Sequence, residues 1–200
     1  MPEAPFIVDP GGAEAQARKA ELRDEFLKRR LVIPQDLKDT TQWKVNNFLR
    51  SLLGEMEPMV IGLYFPIREE IDMRRLAEEL WENGDTLALP RVVEKEHPLS
   101  FNIWDKHTEM SIDAEGVPCA LGEEIWPSTL VIPCLGYNKQ GYRLGYGGGY
   151  YDRTLRQAKQ PLVTIGVCYT ELEVKDYPVQ RHDEPLDYIV TGKEVINCQR

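Results

Sequence analysis

"TLVIPCLGYNKQGYRLGYGGGYYDRTL", residues 129–155, decides how this chain folds. It opens on an apolar, β-branched run that reads as a buried strand, and it closes on "YYDRTL", where a helical pattern begins near Tyr150. Between them the sequence turns to bare backbone, with five glycines and four tyrosines in residues 141–155. A loop beyond the carboxyl end of a strand and ahead of a helix is where open α/β sheets bind ligands. Gly145, Gly147, Gly148 and Gly149 carry no side chains, so successive backbone N–H groups are free to turn inward as an anion-binding nest. The dipole of the following helix adds to that pull, and phosphate is the natural guest.

The common phosphate motifs are absent. Gly136 and Gly141 have the spacing of a Walker A loop, but Tyr142 and Arg143 stand where Lys and Ser/Thr should follow. The dinucleotide fingerprint would need a small residue where Tyr150 lies. A mobile surface loop is the other reading of a glycine run; linkers, however, favour small polar residues rather than an arginine among tyrosines.

Outward from this unit, strands and helices alternate. Residues 13–30 are rich in helix formers and contain no breaker. Lys19, Leu22, Arg23 and Phe26 share one stripe of that helix, placing two cations on its apolar face. Either their stems snorkel at the edge of a packed face or the charges reach into a cleft. A second helix is predicted from about Thr41 to Leu53, with Val45, Phe48, Leu49 and Leu52 inward and Gly54 ending it. A third is predicted from about Asp72 to Asn83, with Gly84 as its cap. Residues 59–65, 86–90, 99–104, 129–137, 162–169 and 187–191 read as strands. This alternation predicts an α/β domain with a largely parallel sheet, a loose leader over residues 1–12 and a single domain over 13–200. Residues 105–128 are the least regular stretch, and so long a segment covers a site or forms a small subdomain.

A net charge of −9 argues against a nucleic-acid surface, although a few cations gathered in one cleft can still hold a small anion. No apolar stretch reaches the ~20 residues of a membrane span, and the N-terminus lacks the basic flank and apolar run of a signal peptide. Cys119, Cys134, Cys168 and Cys198 form no C-x-x-C pair and read as small buried hydrophobes in a reducing, cytoplasmic compartment. His97, His107 and His182 have no metal-ligand spacing.

Residues 130–155 closely resemble the signature of the 5-formyltetrahydrofolate cyclo-ligase family, also called 5,10-methenyltetrahydrofolate synthetase. The resemblance extends to "KAELR" at 19–23, "YFPIREEID" at 64–72, "ALPRV" at 88–92 and "RHDEPLDYIVT" at 181–191. At 116–121 the chain reads "GVPCAL", a departure from the family's Gly-Ile-x-x-Pro type turn. The resemblance implies a three-layer α/β/α fold like that of sugar-phosphate isomerase and CoA-transferase relatives, in a monomer. It implies conversion of 5-formyltetrahydrofolate and ATP, with magnesium, to 5,10-methenyltetrahydrofolate, ADP and phosphate. Such chemistry mainly asks the protein to position reactants and neutralise charge. By the same resemblance Lys19, Arg23 and Arg143 surround the triphosphate with the loop Leu144, Gly145, Tyr146, Gly147, Gly148, Gly149, Tyr150 and Tyr151, and Arg143 and Tyr151 sit at the catalytic centre. Folate maps to Phe65, Glu70 and the loop from Tyr146 to Tyr150, with Trp104 as a further stacking candidate. The resemblance also implies Asp152 and Asp183 as the carboxylates for Mg2+. Taken without the signature, Asp152 reads rather as a helix first-turn acid and Asp183 as a turn residue, while Glu70 has the alternative of a first-turn acid and Phe65 of core. A folate or nucleotide binder without turnover and a small-molecule kinase are the alternatives.

Overall fold

The computed structural model describes residues 12–56 and 60–198, so the expected leader lies, Gly12 apart, outside the described residues. In chain order the elements are α1 (Ala13–Leu31), α2 (Gln35–Gly54), β1 (Val60–Gly62), α3 (Arg74–Glu82), β2 (Thr86–Arg91), β3 (Ser100–Ile103), β4 (Met110–Ile112) and β5 (Pro118–Ala120). They continue with β6 (Thr129–Pro133), β7 (Gly136–Tyr137), β8 (Arg143–Leu144), α4 (Tyr150–Gln157), β9 (Val163–Val167), β10 (Tyr188–Val190) and β11 (Val195–Asn197).

The apolar runs of β1, β2, β6, β9 and β10 lie side by side as parallel strands, in the sheet order β11-β10-β9-β6-β1-β2-β3. The edge strands β3 and β11 run antiparallel to their neighbours. Leu87, Ala88 and Leu89 are all buried, as are Leu130, Val131 and Ile132, so successive residues are covered on both faces of the sheet. From β1 the chain steps through α3 to β2 in one direction along the sheet; from β6 it steps through α4 to β9 in the other. Right-handed crossovers therefore place α3 and α4 on opposite faces, and the sheet is the middle of three layers. Because β1 and β6 are neighbours, their carboxyl ends diverge into a crevice at the switch point.

Helix α1 buries Ala15, Lys19, Leu22, Phe26 and Arg30 along one stripe. Helix α2 starts at Gln35, directly after Pro34, and not at Thr41. Its first turns are exposed apart from Lys38 and give no apolar signal, whereas Val45 and Leu49 further along are fully buried. Gly84 caps α3 as expected, at φ +88° with its N–H donating to the Trp81 carbonyl. The irregular stretch 105–128 contains a hairpin, β4 paired with β5. Asp113 organises its tip: Oδ1 accepts from the Glu115 and Val117 amides, and Oδ2 accepts from Val92 at the end of β2. The glycine stretch likewise opens with a short β7–β8 hairpin that sequence patterning does not reveal. All four cysteines are free; burial pushes the Cys134 thiol up to about 12, the character of an inert core residue.

Candidate functional site

A cleft of about 600 Å³ opens at the switch point. Tyr64 and Phe65 enter it from just past β1, Pro90 and Val92 from the end of β2 and just past it, and Pro133 from the end of β6. The glycine loop forms one wall, and Asp113, Glu115, Val117 and Pro118 of the β4–β5 hairpin form another. The irregular segment therefore covers the site. Its latch is a hydrogen bond from the Tyr150 hydroxyl to Glu115, 2.7 Å long.

One end of the cleft is cationic. Lys19 donates to both oxygens of Asp183 at 2.7 Å and lies 5.2 Å from the Tyr177 ring centre. Burial lowers the Lys19 pKa, an effect that its contact with Asp183 offsets only in part. Arg23 donates Nε–H to the Gly145 carbonyl at 3.0 Å. Its guanidinium carbon lies 3.3 Å from the point where a Cβ on Gly147 would stand; with φ at +98° there, only glycine fits without strain. Arg143, 8% exposed, donates to Asp152 Oδ1 at 2.8 Å and to the Glu184 carbonyl at 2.9 Å. Its guanidinium lies over the Tyr151 ring, whose hydroxyl pKa is raised by burial. The amides from Gly145 to Asp152, which lead into the first turn of α4, have no acceptor among the described residues. Together they present a row of N–H groups at a helix N-terminus, a geometry suited to anions.

The other end turns on one carboxylate. After β1 the backbone makes a tight turn in which Arg68 and Glu69 adopt positive φ, and Glu70 closes it by donating its amide to the Ile67 carbonyl. Glu70 Oε2 accepts the Ile67 N–H at 2.9 Å, and Oε1 accepts the Tyr146 hydroxyl at 2.8 Å. Burial raises the Glu70 pKa against the pull of those bonds and of Arg30 and Arg68. Phe65 presents an aromatic face nearby, with the Arg74 guanidinium over its ring.

Among the described residues no group of three or more His, Cys, Asp or Glu side chains is placed to hold a metal ion. A Mg2+ ion shared with phosphates asks for only one or two carboxylates. Asp152 fits that demand: Oδ1 accepts from Arg143 and the Glu184 amide, while Oδ2 has no partner among the described residues. Asp183 differs, because both its oxygens are taken by Lys19 and one also by the Gln180 amide.

The structure thus gathers Lys19, Arg23, Phe65, Glu70, Arg143, Gly145–Asp152 and Asp183 around one cleft. Leu144 does not line it: the side chain is buried in the core and its carbonyl accepts from Leu135. Trp104 is also elsewhere, packed edge-on against Trp81 at 4.7 Å, because β3 runs antiparallel and its end lies beside Leu87 at the start of β2, at the end of the sheet away from the crevice. Sequence patterning missed Arg30, which extends the α1 stripe one turn beyond Phe26, and it missed Tyr177 and Gln180, which line the cationic end.

Comparison with known proteins places the fold. A 5-formyltetrahydrofolate cyclo-ligase of Haemophilus influenzae is 27% identical over 183 residues, covering 88% of this chain and 98% of the relative. A solved 5,10-methenyltetrahydrofolate synthetase from Mycoplasma pneumoniae superposes with a TM-score of 0.72 at 28% identity, over 88% of this chain and 99% of that one. An Aquifex aeolicus 5,10-methenyltetrahydrofolate synthetase gives a TM-score of 0.78 at 28% identity, over 91% and 93%. With residues 15–192 matching the profile of the 5-formyltetrahydrofolate cyclo-ligase family and the cleft built as described, the chain belongs to that family.

Proposed function

We propose that the protein converts 5-formyltetrahydrofolate to 5,10-methenyltetrahydrofolate, with ATP consumed to ADP and phosphate. The observation that carries this reading is one cleft in which a single glycine loop joins an anion-binding end to a buried carboxylate. An amide oxygen is a poor leaving group. In this reading the formyl oxygen attacks the γ-phosphate, the second folate nitrogen closes on the activated carbon with loss of its proton, and the oxygen departs on phosphate. Lys19, Arg23 and Arg143 neutralise the triphosphate, and the amides of Gly145 to Asp152 receive its oxygens. Glu70 accepts hydrogen bonds from the amino and amide edge of the pterin, while Phe65 and the Tyr146–Tyr150 segment flank its ring. Tyr151, beneath Arg143, completes the reacting end.

Magnesium, when bound, supplies further charge neutralisation on the phosphates. Asp152 is the carboxylate that would hold it; Asp183 would join only by exchanging Lys19 for the ion. Free cysteines support a reducing, cytosolic compartment, and the acidic balance disfavours a nucleic-acid partner. The test mixes protein, 5-formyltetrahydrofolate and magnesium-ATP and follows the near-ultraviolet absorbance of the conjugated product together with ADP release. Product forming equally fast without ATP would overturn the mechanism.

A further inference from the structure

We propose that Arg30, in the last turn of α1, is a positioning residue that orients the carboxylate of Glu70 through the hydroxyl of Tyr146. The inference rests on the folate role of Glu70 and adds a residue to it. Arg30 is 1% exposed, and its guanidinium donates Nη1–H to the Tyr146 hydroxyl at 2.7 Å and Nη2–H to the Cys134 carbonyl at 2.7 Å. An arginine offers no lone pair, so the hydroxyl must accept from Arg30 and can spend its one proton only on Glu70 Oε1, 2.8 Å away. Arg30 thereby fixes the direction of that bond. The Cys134 carbonyl, just past β6, holds the other arm of the planar fork. Arg30 Nε is buried with no partner among the described residues, a cost that an apolar residue packed in its place would avoid. What the charge provides in return is control of the carboxylate.

The ionisable groups facing Glu70 are Arg30 and Tyr146, Arg68 from its own turn, and Tyr64, Tyr151 and Cys134 from the crevice. Only the two arginines are cationic. Arg68 is exposed above the Tyr146 ring, whereas Arg30 lies in the interior, where solvent screens its field least. Glu70 spends one lone pair on Tyr146 and one on the Ile67 amide, so its remaining acceptor directions are set before the substrate arrives. Tyr146 belongs to the glycine loop, so the same bond ties that loop to the carboxylate.

The experiment is a binding titration of 5-formyltetrahydrofolate, and separately of ATP, across a pH series. Arg30→Met is expected to weaken folate binding about tenfold or more while ATP affinity stays within about twofold, the loss of one charge-assisted chain. The pH below which folate affinity falls should also move upward, because Glu70 loses the buried cation that favours its ionised form. Arg30→Lys should recover part of both effects. Tyr146→Phe keeps the ring, removes the relay, and decides the question if Arg30→Met does not fold; it should reproduce the folate loss and the pH displacement. In a Glu70→Gln background, Arg30→Met should add little. An equal Arg30→Met penalty in both backgrounds, or an unmoved pH midpoint in the two relay variants, would overturn the proposal and leave Arg30 a packing residue. Unchanged folate binding in Glu70→Gln alone would instead remove the folate assignment beneath it.

Discussion

The two ends of the cleft handle charge in opposite ways. At the cationic end Lys19 and Arg143 already have mates in Asp183 and Asp152, while Arg23 bonds only the Gly145 carbonyl, so an arriving polyanion competes for two of the three cations. At the other end Glu70 is held by a hydroxyl and an amide, with its cation one group removed. The first arrangement can exchange partners when phosphates and a metal enter. The second keeps its geometry and offers unused lone pairs. A site that must neutralise a moving charge and also recognise a flat, neutral edge has reason to contain both.

Breaking the first arrangement should have the largest effect. Lys19→Met is expected to lower turnover by ~100-fold or more. It should also cost about 3–5 kcal/mol of stability, because Asp183 would be left buried without its ion. Adding Asp183→Asn should restore the melting temperature without restoring turnover; identical melting of the single and double variants would show that the pair is not coupled. Next comes Asp152→Asn, which keeps an oxygen to accept from Arg143 and Glu184, so stability should fall by less than ~1 kcal/mol. Turnover should still fall by roughly a hundred-fold, with a shifted magnesium requirement.

The second arrangement is sharpened by Glu70→Gln, expected to weaken folate binding by roughly ten- to a hundred-fold and to leave ATP binding intact. Its stability effect has the reverse sign. Burial raises the Glu70 pKa above its unfolded value, so the folded chain holds the proton longer and loses stability as pH rises from the unfolded to the folded pKa. The glutamine variant lacks this penalty, and its melting temperature should exceed wild type above that window. Gly147→Ala, at φ +98°, should cost about 1–2 kcal/mol and disturb ATP more than folate, since the new methyl meets Arg23. Smallest is Tyr150→Phe: an exposed bond to Glu115 is worth about 1 kcal/mol at most, so substrate affinity should change only by about fivefold or less.

What the sequence discloses follows the range of the forces involved. The parallel sheet is legible because its strands are continuous apolar runs, and the cleft's position is legible because glycines and a helix start stand beyond one of them. The short strands are not: Met110, Ser111 and Ile112 are all exposed, and three residues are too few for their alternation to stand out as a strand. The start of α2 is hidden for the same reason, its first turns lying mostly in solvent. Partner choice within the site is hidden more deeply. That Lys19 would meet Asp183, 164 residues away, is set by how α1 packs across the crevice. Trp104 shows the converse, an aromatic residue whose type suggests stacking while its place in the strand directs it to Trp81.

Helix α1 carries Lys19, Arg23 and Arg30 on a single unbroken run of α-helix. At about 1.5 Å per residue, Lys19 and Arg30 stand roughly 16 Å apart along its axis, one beside Asp183 at the cationic end and the other behind the Glu70 carboxylate. The helix is therefore a ruler for the cleft, and it sets how far apart two reactants can lie and still be gripped at once. One residue inserted between Arg23 and Arg30 would leave every cleft side chain in the sequence. It would also rotate the far mark by about 100° and withdraw it from Tyr146.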